Sequence, residues 1–139
     1  MYHKIYDFCK VRNLGGTYSN SNEPTPRVQF LMQLLESEGI NYELDTYQSK
    51  GNTCYNLILK GDSNRMVVAH HDISNPHIDN ANDNSASIIN AIALKLLKPE
   101  INVAILDGEE FGGLGSGYLS YQMKQGHYGV VDWILNLEL

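Results

Sequence analysis

The apolar positions along this chain change period several times, and each change marks an element. Residues 2–13 place Tyr2, Ile5, Tyr6 and Cys9 at helical spacing, and the leucine–glycine–glycine run at 14–16 predicts the end of that helix. The polar stretch "TYSNSNEPTP" at 17–26 reads as loop. Thr25 followed by Pro26 predicts a helix start, because proline loses nothing at the first helical position. Val28, Leu31, Met32 and Leu35 then share one face, and Gly39 supplies a left-handed stop. This helix is expected to cover a sheet.

After residue 39 the period shortens. "INYELDTYQ" and "CYNLILKG", joined by "SKGN", predict an antiparallel hairpin over 40–60. "RMVVAH" is a short, continuously apolar strand, the pattern of burial on both faces. Residues 84–98 are apolar almost all round (Ile88, Ile89, Ile92, Leu94, Leu96, Leu97), so that helix is expected to be deeply buried. "INVAILD" predicts another buried strand, "GLGSGYLSYQMKQG" a helix, and "VVDWILNLEL" a last strand. Strands alternating with helices at this spacing predict an α/β fold of three layers, α/β/α, around a mostly parallel mixed sheet. Ligands of such sheets bind at the carboxyl ends of the strands.

Composition narrows the picture in a few respects. At 139 residues the chain is long enough for one domain with a real core and too short for two. A net charge of −6, with no lysine–arginine cluster, argues against nucleic acid as the main partner. No signal-peptide core opens the sequence, and no apolar run approaches the roughly 20 residues a membrane crossing needs. A cytoplasmic protein is therefore expected, in which Cys9 and Cys54 are reduced, buried thiols rather than a disulfide.

The chemistry-bearing residues lie in "VVAHHD" at 67–72, "NDNSAS" at 82–87, "DGEEFGGLGS" at 107–116 and "LNLEL" at 135–139, and three of these four segments sit where an apolar run ends. They bring His70, Asp72, Asp83, Glu109, Glu110 and Glu138 to strand ends or the turns just after them, and imidazole with carboxylates suits zinc. In His70-x-Asp72 one residue can ligate while the carboxylate two positions on orients the ring. His71 points to the other side of an extended chain and reads as a structural or surface histidine. Asp83 opens a buried helix, so it is either an N-cap or a carboxylate bridging two metals. His77 and Asp79 read as solvated loop residues. Glu109 and Glu110 repel one another at a buried strand end, so retaining both points to a counter-charge. One of them can ligate while the other acts as a general base. Gly112, Gly113 and Gly115 let the chain turn tightly into the next helix.

Taken together and in this order, "AHHD", "NDNSAS", "GEEFGGLGSGYL" and "LNLEL" resemble the motifs of the co-catalytic di-zinc aminopeptidases of phosphorylase/hydrolase-like fold, over about residues 25–139. The resemblance implies a zinc metallopeptidase that hydrolyses N-terminal peptide bonds. It implies His70, Asp83 and Glu138 at one zinc, Asp83 and Glu110 at the other, and Glu109 as the base that takes a proton from a zinc-bridging hydroxide. It also implies a cis peptide at Asp83–Asn84. Asn84 and Glu138 stand where the family usually has Asp, and Ser85 stands where the related dipeptidases and deacylases carry Lys, which favours the aminopeptidase branch.

The family's last zinc-ligating histidine lies far downstream of the segment that "LNLEL" resembles. The expectation is therefore a single zinc-peptidase-like domain over 1–139 that is its N-terminal portion. Such a chain is expected to have little activity alone, and to associate through an uncovered sheet edge or with the missing half. Two other readings stay open: a non-catalytic fragment that binds metal or a partner, and an acyltransferase like the glutaminyl cyclases, which resemble this family and use one zinc.

Overall fold

The structure is a computed structural model that describes residues 2–11, 23–49 and 51–138. The predicted helix stop at 14–16 and most of the loop after it lie outside the described residues.

Among the described residues four α-helices and five strands follow one another as α1 (Tyr2–Lys10), α2 (Pro26–Ser37), β1 (Glu43–Ser49), β2 (Asn52–Leu59), β3 (Arg65–His70), α3 (Ser87–Leu97), β4 (Asn102–Leu106), α4 (Leu114–Lys124) and β5 (Trp133–Asn136). The strands form one sheet in the order β1-β2-β4-β3-β5. β1 and β2 are the antiparallel hairpin read from the sequence, and β2 is also antiparallel to β4. β3 pairs in parallel with both β4 and β5. The result is the mixed α/β sheet with flanking helices that the alternating pattern predicts.

Alternation along the strands divides the core. Leu57, Leu59, Val67, Ala69, Val103 and Ile105 pack with Phe8 of α1, Val28, Leu31 and Leu35 of α2, and Ile88 and Ile92 of α3. The intervening positions Ile58, Met66, Val68, Ala104 and Leu106 pack with Leu119 of α4 on the opposite face. Both β3 and β4 are thus covered on two sides, as their unbroken apolar runs require.

The ends of α2 follow the sequence signals in part. Pro26 occupies the first turn and Gly39, at φ +69°, closes the helix with the Ile40 N–H donating to Leu35 O at 2.9 Å. Thr25 occupies the cap position without using its hydroxyl as a cap. α3 differs from expectation at its far end: Leu96 and Leu97 are exposed, Leu97 by 77%, whereas Lys95 is buried. Lys95 shares a face with Ile88, Ala91 and Ile92. Its ammonium is satisfied by the carbonyls of Lys60, Pro99 and Ile101 at 2.5–2.9 Å. Cys9 and Cys54 are free and buried, and burial, with the Asp107 charge, pushes the Cys54 thiol up to about 12.

β5 is one of the two edge strands, and all four of its residues are exposed. It is shorter than the apolar run that predicts it. Among the described residues no helix is long and apolar enough to cross a membrane.

Candidate metal centre

The loop leaving β3 leads to α3 on one face of the sheet, and the loop leaving β4 leads to α4 on the other. β3 and β4 are neighbours, so the two loops part over their carboxyl ends, the place where ligands of such sheets bind. Asp72 sits at that point, fully buried. Its Oδ1 accepts the Glu109 N–H at 3.0 Å and its Oδ2 the Glu110 N–H at 3.0 Å. One carboxylate from the β3 side thereby fixes the backbone of the acidic pair on the β4 side. Burial works against the Asp72 charge, but its bond to His70, the His71 charge and the Glu109 N–H hold its pKa below the usual carboxylate value.

His70 is buried and both ring nitrogens face acceptors. Nδ1 lies 3.2 Å from the Asp72 backbone carbonyl and 3.4 Å from its Oδ1. Orientation of the ring is therefore shared between the carboxylate expected from the sequence and the carbonyl of the same residue. Nε2 lies 3.0 Å from Asp83 Oδ1 and 3.3 Å from Glu138 Oε1. Burial opposes a charge on the ring, yet the bond to Asp72 and the charges of Asp72, Glu138 and Glu109 overcome it and raise the pKa to about 9.

That geometry tests the fit of a metal. Two carboxylates converging on one imidazole nitrogen require positive charge between them, either a proton on Nε2 or a cation in its place. Donor atoms of His70, Asp83 and Glu138 lie within 4.8 Å of one another, a His–carboxylate–carboxylate set of the kind that holds zinc. The residues fit the ion that the sequence motifs imply.

Asp83 reaches this point from a wide turn over Asn82–Ala86 ahead of α3. Asp83 and Asn84 have non-helical backbone angles, and the peptide between them is cis. The cap position of α3 is Ala86, so the N-cap alternative for Asp83 does not describe its place. Asn84 is buried and its amide donates to Leu137 O at 2.7 Å. A carboxylate at that position has no proton to give, which supplies a local reason for Asn where the motif usually has Asp.

Glu110 has a buried Oε1 with no hydrogen-bond partner. Burial raises its pKa first and the Asp83 and Asp72 charges raise it further, while His70 and a bond to Ser74 pull it down. It therefore belongs to the same electrostatic cluster as His70 and Asp83, although the compact donor set is His70, Asp83 and Glu138. Glu109 is exposed beside it.

His71 is wholly buried, which removes the surface alternative. Its Nε2 lies 2.9 Å from Tyr55 O. Asp107, Asn56 and Arg27 support the site and were not evident from its motifs. The Asp107 N–H donates to Asn56 Oδ1, Asp107 Oδ2 accepts the Tyr55 N–H, and Asp107 O accepts the Gly115 N–H, all at 2.8–2.9 Å. This ties the start of α4 to the end of β4 and fixes the loop between them. Gly112 and Gly113 have positive φ, as a tight turn requires. Gly115 acts differently, because a Cβ there would lie 2.3 Å from Asp107 O.

No protein-family model matches the chain, and no curated protein matches it. Solved structures do. The LapA aminopeptidase of Legionella pneumophila superposes with a TM-score of 0.68 at 12% identity, covering 97% of this chain and 40% of that one. The M20 family metallo-carboxypeptidase Sso-CP2 of Sulfolobus solfataricus gives 0.60 at 17% identity, covering 98% and 36%. A glutaminyl cyclase from an Acidobacteriales bacterium gives 0.60 at 14% identity, covering 91% and 53%. At these identities the likeness is one of fold. The chain spans about two fifths of the length of the LapA structure.

Proposed function

We propose that this chain carries the metal-binding half of a zinc metallopeptidase centre, and that the reaction is hydrolysis of N-terminal peptide bonds. The observation that carries the reading is the convergence of His70 Nε2, Asp83 and Glu138 within 4.8 Å, beside an acidic pair whose backbone is held by Asp72. His70, Asp83 and Glu138 would hold one zinc, and Asp83 with Glu110 a second. Bound there, zinc polarises a peptide carbonyl and lowers the pKa of water.

The protein's own groups have separate tasks. Asp72 orients the His70 ring and holds the backbone of Glu109 and Glu110 at the end of β4. Glu110, with its unpartnered buried oxygen, serves as a ligand. Glu109, exposed and next to it, accepts a proton from the attacking water and returns it to the leaving amine. The fold neighbours support a peptidase-like fold, and the motif order, with Ser85 in place of a lysine, supports the aminopeptidase branch.

A second reading rests on the glutaminyl cyclase likeness, a fold compatible with acyl transfer at one zinc. The two differ in product: hydrolysis of aminoacyl anilides, abolished by chelator and restored by zinc, supports the peptidase. Release of ammonia from N-terminal glutaminyl peptides without anilide hydrolysis would support the cyclase and defeat the first reading.

Metal binding by the 139-residue chain is the direct test. A catalytic zinc usually takes three protein ligands plus an open position. His70, Asp83 and Glu138 meet that number, while the second position has Asp83 and Glu110 among the described residues. Titration calorimetry is expected to show one tighter zinc per chain, lost in His70→Ala, with little anilide hydrolysis by the chain alone. Failure of the unsubstituted chain to bind zinc would refute the reading.

A further inference from the structure

Arg27 is fully buried at the start of α2, an unfavourable place for a cation, since burial removes its hydration and the positive end of the helix dipole is close. Burial pulls its pKa down to about 10, against the opposing charges of Cys9 and Asp72. What surrounds the guanidinium explains how it is held. Nε donates to His71 O at 2.6 Å, and Nη2 to Ser85 Oγ at 2.9 Å. Nη1 donates to Phe8 O and Val11 O at 3.2 and 3.1 Å, at the carboxyl end of α1, where the helix dipole favours a cation. Its planar face lies 4.0 Å from the centre of the Phe8 ring.

Two of these partners adjoin the candidate ligands. His71 is the residue between His70 and Asp72, and Ser85 lies two positions beyond Asp83. They are 14 positions apart in sequence and sit near the two ends of the one long connection from β3 to α3. A single rigid, forked side chain bridges them, and a lysine ammonium cannot reproduce that fork.

We propose that Arg27 is a positioning residue for the metal centre, holding the His70–Asp72 and Asp83–Ser85 segments at a fixed separation so that His70 Nε2 and the Asp83 carboxylate meet around one ion. The proposal rests on the reading of His70, Asp83 and Glu138 as metal ligands. A merely structural Arg27 would lower stability in step with any other core defect and leave the affinity of the folded fraction alone. A positioning Arg27 lowers that affinity, because the two donors no longer arrive pre-aligned.

The test uses the whole 139-residue chain, with Zn2+ affinity from titration calorimetry, the visible spectrum of bound Co2+, and folding checked by circular dichroism. The variants are Arg27→Lys, Ser85→Ala and, as a control for stability alone, Leu35→Val at the far end of α2. Arg27→Lys is expected to weaken Zn2+ binding by roughly 10–100-fold and to alter the Co2+ spectrum. Ser85→Ala should weaken binding by roughly 3–10-fold, the low end of the same range, and Leu35→Val should leave both readouts unchanged. Wild-type affinity in Arg27→Lys and Ser85→Ala, or an equal loss in Leu35→Val, would overturn the proposal. If Arg27→Lys does not fold, Ser85→Ala against Leu35→Val decides by the same comparison. Absence of Zn2+ binding in the unsubstituted chain defeats the metal-centre reading itself, an outcome visible before any variant is compared.

Discussion

Glu109→Gln, in a preparation that hydrolyses aminoacyl anilides, is expected to lower turnover by about 10²–10⁴-fold, the range for loss of a positioned base, while its zinc content stays unchanged. Glu110→Ala is expected to do the reverse at the level of metal, releasing zinc. The asymmetry follows from geometry. Both residues are fixed by their backbone N–H groups on Asp72, and neither substitution removes those bonds. The side chains differ: Glu110 has a buried oxygen without a protein partner and feels the Asp83 charge, whereas Glu109 is exposed. Glutamine keeps the size of Glu109 and removes its capacity to take a proton. Zinc analysis with anilide kinetics on both variants checks the pair. Near-normal turnover in Glu109→Gln, or zinc loss there and retention in Glu110→Ala, would reverse the roles.

Gly115→Ala is expected to be strongly destabilising, and Gly117→Ala, two residues on, to be harmless or helpful. A Cβ on Gly115 would stand 2.3 Å from Asp107 O, 2.8 Å from Asn56 Oδ1 and 2.9 Å from Asp107 N. Two of these are backbone atoms of a strand end, so relief requires α4 to back away from β4. That movement breaks the Gly115–Asp107 and Asn56–Gly115 hydrogen bonds in a buried setting. Each buried group left unpaired costs about 1–3 kcal/mol, so a loss of about 2–5 kcal/mol and a fall in Tm on the order of 10 °C are expected. A Cβ on Gly117 would meet nothing within 4 Å. It lies inside the exposed side of α4, where alanine gains about 0.5–1 kcal/mol over glycine. Thermal unfolding of the two variants settles this, and equal effects would show that the close approach at Gly115 is not decisive.

The elements were legible in the sequence wherever burial imposed a period. The unbroken apolar runs of β3 and β4 announced strands covered on both faces. Thr25–Pro26 and Gly39 bracketed α2 closely. The candidate ligand segments were legible because three of the four stand where an apolar run stops. The meeting of His70, Asp83 and Glu138 was expected from the strand-end rule and the family resemblance and not from a local pattern. That meeting depends on β3 lying between β4 and β5, an order no local pattern encodes. The supporting polar residues were obscured for another reason. Arg27 shares a helical face with Leu31 and Leu35, and Asn56 interrupts the apolar run of β2. A polar residue on an apolar face is a signal of a buried network, but its partners lie far along the chain, Ser85 for Arg27 and Asp107 for Asn56, and cannot be read locally. The same applies to α3, where all-round apolarity hid the fact that Lys95, and not Leu97, faces inward.

The candidate ligands come from very unequal ground. His70 ends a strand buried on both faces, whereas Glu138 follows β5, an edge of four exposed residues. Beyond its pairing to β3, the tail of β5 is fastened by the Leu137 N–H to Val68 O and by the Asn84 amide to Leu137 O. Edges of this kind open far more often than the core they border. A zinc ion joining Glu138 to His70 would act as a clasp, riveting an exposed edge strand to a buried inner one. By mass action, free zinc at a hundredfold excess over its dissociation constant adds about 2.7 kcal/mol to whatever conformation holds it, and here that conformation is the closed edge. Fraying of β5 would withdraw Glu138 and leave His70 and Asp83 in place, so the release of an ion held there would depend on the opening of this strand.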